Sequence, residues 1–183
     1  MRLIAVTGGG EQFAQRVAEA LEAGAEVLVR ELALPEGLPL ERVILHARMP
    51  GAAEAATALH LSADMDVAEW RRRFSGPLTV SAHSAEEAQR KRDLGADAVF
   101  LSPIFAARHG REALGTAGLR GHIALGGVVP ERLAECALAG AVGVAVLGGI
   151  WHSPDGITRA VGRYRTPHSA LRAPPPFRGE DRG

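Results

Sequence analysis

The sequence predicts an α/β fold, a closed (β/α)8 TIM barrel with a reduced second helix. Eight short runs rich in Val, Ile, Leu and Ala punctuate the chain, and helical patterns separate most of them. A helix–glycine–strand joint also recurs, as Ala23-Gly24-Ala25, Leu94-Gly95-Ala96 and Ala139-Gly140-Ala141. Glycine there suits the left-handed residue that closes a helix and turns the chain back. Apolar runs without alternation fit strands buried on both faces of a parallel sheet. Eight such strands joined by right-handed crossovers close into a barrel. An open, doubly wound sheet is the alternative.

The first strand, 3–6, is Leu3-Ile4-Ala5-Val6, and the helix expected at 11–23 puts Phe13, Val17, Ala20 and Leu21 on one face. The second strand spans 26–30. Residues 32–42, with Pro35, Gly37 and Pro39, are too few and too proline-rich for a helix, so a loop or single turn replaces it. That saving lets 183 residues form a barrel that usually takes about 200. Strands three to five are expected at 43–46, 58–61 and 78–82. The helix at 84–94 opens on Ser84-Ala85-Glu86-Glu87, a capping box whose hydroxyl and carboxylate satisfy free first-turn amides. Strands six to eight follow at 98–102, 123–125 and 142–147, with a helix at 130–139 begun by Pro130. One domain therefore covers 1–165. Beyond it 166–183 is a Pro/Arg-rich tail without periodicity, expected to be disordered or an extended arm.

Lys plus Arg equals Asp plus Glu, at 21 each, so no overall field favours nucleic acid or a membrane surface. Arg71-Arg72-Arg73 reads as a solvated helix end. The single cysteine, Cys136, has no partner for an internal disulfide and reads as a small buried hydrophobe. No run has the roughly 18 apolar residues of a membrane span, and the residues before Gly8 are too few for a secretory signal. A cytoplasmic protein is expected.

In a barrel, chemistry sits on the loops after the strands. Gly126-Gly127 and Gly148-Gly149 follow strands seven and eight, where bare backbone amides can converge on a phosphate. Tight turns alone would also explain them. His83 and His109, after strands five and six, can each relay a proton near neutral pH, or else orient a loop and face solvent respectively. Arg30 can clamp a substrate carboxylate or pair with Glu31. Ser102 opens the loop after strand six and joins the substrate-binding candidates. His60 and His122 fall inside strands and read as packed or at the barrel bottom. Trp70 and Trp151 read as packing a helix on the barrel.

The segments Val80-Ser81-Ala82-His83-Ser84, Leu94-Gly95-Ala96-Asp97-Ala98, Ser102-Pro103-Ile104-Phe105 and Leu125-Gly126-Gly127-Val128 occur in that order. With Ala139-Gly140-Ala141, they resemble the thiamin phosphate synthase and TenI superfamily, most closely over 78–151. The resemblance implies a thiazole phosphate as ligand, with its phosphate held near Gly126, Gly127, Gly148 and Gly149. The chain departs from the synthases at Ala106-Ala107-Arg108-His109-Gly110-Arg111, where they carry Thr and Lys. It departs again at His46-Ala47-Arg48, where they carry Asn-Asp-Arg with a magnesium-binding carboxylate. It departs from TenI proteins at Pro103, where their acid/base histidine falls.

The leading expectation is accordingly a TenI-like tautomerase that aromatises a thiazole carboxylate phosphate without a metal, with His83 or His109 moving the proton. Two alternatives remain. One is a synthase joining a thiazole phosphate to a pyrimidine pyrophosphate with magnesium. The other is a non-catalytic phosphate-ligand binding or regulatory protein. Apolar surface exposed by the missing second helix suggests a homodimer.

Overall fold

The computed structural model describes residues 1–31, 37 and 39–165. The tail at 166–183 and most of the proline-rich stretch after strand two lie outside the described residues.

Eight parallel strands close into a barrel in chain order. They are β1 (Arg2–Val6), β2 (Glu26–Val29), β3 (Val43–His46) and β4 (Ala58–Leu61). β5 (Leu78–Ala82), β6 (Ala98–Leu101), β7 (Ile123–Leu125) and β8 (Gly143–Val146) complete it. Each lies within a residue of its expected bounds. Leu3 pairs with Val144 where β8 closes on β1.

Among the described residues seven helices lie between and after the strands: α1 (Phe13–Glu22), α2 (Ala52–Ala55), α3 (Val67–Arg73), α4 (Ala85–Asp93), α5 (Leu133–Leu138), α6 (Gly148–Trp151) and α7 (Ile157–Arg165). A 3-10 turn at Leu40–Arg42 leads into β3. Among the described residues, economy in length shows at two connections. α2 is a single turn, and residues 102–122 run from β6 to β7 with no helix. Pro130 opens a 3-10 turn, Pro130–Arg132, before α5 begins.

The sheet separates two apolar layers. Leu3, Ala5, Val27, Val29, Leu59, Leu61, Val80 and Val99 face outward to the helices, and Trp151, buried completely, packs among them. Ile4, Val6, Leu28, Ile44, Phe100, Ile123 and Ala145 fill the interior. Alternate residues take alternate faces, so the inward positions of β3, β4 and β5 continue from Ile44 to His46, from Ala58 to His60, and from Thr79 to Ser81. The interior is hydrocarbon across most of its width and turns polar along these three strands. Arg71, expected to be solvated, instead reaches Asp97 and the carbonyls of Phe74, Gly76 and Gly95, tying α3 to the next helix–strand joint.

Candidate active site at the barrel mouth

The capping box forms with one change of partner. Ser84 Oγ accepts from Glu87 N (3.1 Å), but the Glu87 carboxylate reaches past Ser84 to accept from His83 N (2.8 Å). Burial raises the Glu87 pKa, yet this bond and Lys91 outweigh it and hold the carboxyl below its usual value. The backbone of His83 is therefore anchored by the helix it precedes. Its ring lies 2.9 Å, at Nδ1, from the carbonyl oxygen of Ser102. A carbonyl can only accept, so Nδ1 carries the hydrogen and Nε2 is the basic nitrogen of the neutral ring.

Residues 103–115 fold back over the β7 end. Ile104 N and Phe105 N donate to Leu125 O and Gly126 O, both at 2.9 Å. Gly126 and Gly127 take positive φ (95° and 71°), and a Cβ would stand 3.0 Å from Pro103 Cα in one and 2.9 Å from Ala106 N in the other. Both glycines are thus required by the close approach of this loop. Gly148 has open space at its Cβ position, whereas a Cβ on Gly149 would strike the Tyr164 hydroxyl. Tyr164 in turn donates to Val128 O at 3.1 Å.

A cavity of about 190 Å³ opens at the mouth, with Arg30, His83, Ser102, His109 and Gly126 in its lining. These are five of the eight candidates expected from sequence. Gly127, Gly148 and Gly149 are not in that lining. Arg108 and Arg111 add guanidinium groups, while Val6, Pro103, Leu125 and Leu147 supply apolar wall. A second cavity of about 530 Å³ adjoins it, reaching down to His46, His60, Ser62, Asp64 and Ser81.

Arg30 does not pair with Glu31 through its guanidinium. That group donates from Nε and Nη2 to Thr7 O (3.3 and 3.1 Å), while Glu31 accepts from the Thr7 hydroxyl and from Arg30 N (3.0 Å). Arg48 forms an ion pair with Asp64. His109, at φ 52°, accepts the Arg108 Nε–H at 3.1 Å.

A polar chain runs below. Thr79 Oγ1 donates to Leu59 O (3.1 Å), so His60 Nδ1 donates to Thr79 Oγ1 (2.8 Å), and Nε2 accepts from Ser81 Oγ (3.0 Å). Burial, then His46 and Arg30, push the His60 pKa down from 6.5 to about 3. His46 is also held low, by burial and by Arg48 and Arg30, and its Nε2 lies 3.0 Å from Ser62 Oγ. Sequence reasoning passed over His46, Arg48, Ser81, Arg108 and Arg111 as candidates. The signal for His46 and Ser81 was their period-two spacing from Ile44 and Thr79, inward residues of the same strands; the arginines lay in stretches that depart from the synthases but had no periodicity to place them, because the loop fold does so.

Magnesium, implied by the resemblance to synthases, needs oxygen ligands from one or two carboxylates beside substrate phosphates. Among the described residues the mouth offers Asp64 and Glu31. Asp64 is engaged by Arg48, and Glu31 by Thr7 and Arg30 N. Among the described residues no cluster of three His, Cys, Asp or Glu could hold a metal ion. This donor set does not fit magnesium.

The family model described as thiamine monophosphate synthase matches residues 42–150. A thiamine-phosphate synthase of Chloroflexus aurantiacus is 35% identical over 166 residues, covering 82% of this chain and 72% of that protein. The thiamine phosphate pyrophosphorylase structure from Pyrococcus furiosus superposes with a TM-score of 0.76 at 22% identity, covering 90% of this chain and 93% of that one. The one from Bacteroides thetaiotaomicron gives 0.62 at 23% identity, covering 90% and 94%. At these identities the two structures speak for the fold alone.

Proposed function

Because this chain belongs to the thiamine monophosphate synthase family, we propose that it joins a thiazole phosphate to a pyrimidine pyrophosphate, the reaction class its 35%-identical relative is named for. The observation that carries this reading is the pair of adjoining cavities, the smaller lined by Gly126, Arg30, Arg108 and Arg111 and the larger again by Arg30 and Arg111. Two anionic reactants need two anion sites and apolar wall between them for the rings. At about 530 Å³ the deeper cavity is within the range that holds a small molecule.

In this condensation a bond from the thiazole nitrogen to the pyrimidine's carbon forms as that carbon's bond to pyrophosphate breaks. Pyrophosphate leaves with the bonding pair. No proton is abstracted, so the step makes no demand for a basic side chain. It needs positive charge where the leaving group gathers negative charge, which preorganised guanidinium groups supply.

The test is to incubate the full chain with both reactants, with magnesium and separately with a chelator, and to follow thiamin phosphate and pyrophosphate. Stoichiometric appearance of both products is expected, with Arg30→Ala slowing it by about tenfold or more. Absence of thiamin phosphate under both conditions overturns the reading. A second reading, the metal-free tautomerase, is favoured by His83, whose Nδ1–H is fixed on Ser102 O and whose Nε2 remains to take a proton. Acceleration of thiazole carboxylate phosphate aromatisation that is lost in His83→Ala would decide for it.

A further inference from the structure

We infer that the mouth of this barrel holds pyrophosphate with guanidinium groups in place of a carboxylate-bound metal, so that its affinity for pyrophosphate needs no divalent cation. This rests on the condensation reading and specifies how its leaving group is bound.

The charge at the mouth is one-sided. Arg30, Arg108 and Arg111 line the two cavities described above, the larger with Asp64, and Arg30 and Arg48 line a third, open one of about 420 Å³ with Glu31. Asp64 is neutralised by Arg48, and Glu31 is turned inward to Thr7. A dication drawn to either carboxylate would meet the charge of the neighbouring arginine. Position 47, between His46 and Arg48, is an almost fully buried alanine with no donor.

Arg108 and Arg111 form an antiparallel bridge, exchanging two backbone hydrogen bonds of 3.0 Å across the turn at His109 and Gly110. Residues directly opposite in such a bridge project from the same face, about 5 Å apart, and like charges so placed repel. Both side chains line the 190 Å³ cavity. Among the described residues the Arg108 guanidinium donates only to the His109 ring, and the Arg111 guanidinium has no partner. Two like charges held side by side over a cavity, with no carboxylate between them, are relieved by an anion that each can grip with two N–H groups. Pyrophosphate, with two phosphoryl groups joined by one oxygen, offers a bidentate edge to each guanidinium. Arg30, lining all the mouth cavities, stands on the β2 side to complete the set.

The experiment is calorimetric titration of inorganic pyrophosphate into the full-length chain in a chelator, repeated with magnesium in excess. Saturable binding in the chelator is expected, with an affinity that magnesium changes by less than about threefold. Arg108→Gln and Arg111→Gln should each weaken it by about tenfold or more. Arg111→Lys should fall between, keeping charge but losing the fork. Arg90→Gln, on the exposed face of α4, should leave it unchanged, with circular dichroism confirming the fold of each variant. Binding that appears only with magnesium, or that survives the double Arg108/Arg111 replacement, overturns the inference. The condensation assay fails separately. Thiamin phosphate formed only with magnesium, alongside pyrophosphate bound only with magnesium, would sink the arginine site and leave the reaction standing. Metal-free pyrophosphate binding with no thiamin phosphate under any condition would do the reverse.

Discussion

Gly149 shows how one residue type can serve two demands that sequence alone does not separate. It stands in a Gly-Gly pair after β8, where the sequence led us to expect a phosphate, yet its bare Cα is the seat of Tyr164, whose hydroxyl closes on Val128 O. A methyl group there must push Tyr164 off that bond and out of a buried site. Gly149→Ala is therefore expected to cost about 1–3 kcal/mol, the range for overpacking a filled site, read as a lower urea midpoint at unchanged slope. Gly148→Ala, with open space at its Cβ, should cost much less. The reverse pattern would show that Tyr164 does not hold Gly149 in place. Residue type and neighbours were in the sequence here; the side chain that fills the space came from α7, and only tertiary packing reveals that.

At the scale of elements, the strands were legible to within a residue because burial on both faces leaves unbroken apolar runs such as Val43-Ile44-Leu45. α4 was legible from its cap. Ser84→Ala removes the acceptor of Glu87 N and should destabilise the chain by about 1 kcal/mol. Because Glu87 also anchors His83 N, we expect Glu87→Ala to raise the rate of amide exchange at His83, with Ser84→Ala doing so less. Equal protection at His83 in both variants and the parent would refute that coupling. The β6–β7 connection was not legible. Its residues form no helix; they follow the β7 edge through bonds from Ile104 and Phe105 to Leu125 and Gly126. Such bonds depend on where β7 lies and leave no periodicity in residues 106–122. For the same reason Arg108 and Arg111 gave no signal as a pair, although the stretch containing them stood out as a departure from the synthases.

Over the whole molecule, stability is coupled to pH through the barrel's polar side. His60 carries a folded pKa of about 3 against 6.5 when free. Between those values the unfolded chain binds a proton that the folded chain refuses, so stability is full above about pH 6.5 and is lost as pH falls through this window. The slope from this residue is about 1.4 kcal/mol per pH unit, and His46, also held low, steepens its upper part. Urea midpoints at about pH 7.5 and 5.5 should differ by less in His60→Gln than in the parent, since glutamine does not titrate; an unchanged difference would assign the loss to other groups. The closed sheet has a different consequence, one that concerns synthesis. Every strand pairs with its sequence neighbours, except that Leu3 must find Val144. A chain emerging from the ribosome at about 5–20 residues per second can lay down seven pairings as it grows, but keeps the free edge of β1 bare until β8 has left the exit tunnel. For roughly seven to thirty seconds at that rate, the nascent protein is an open ribbon with an unpaired hydrophobic border, and that interval is when it most needs a chaperone's cover.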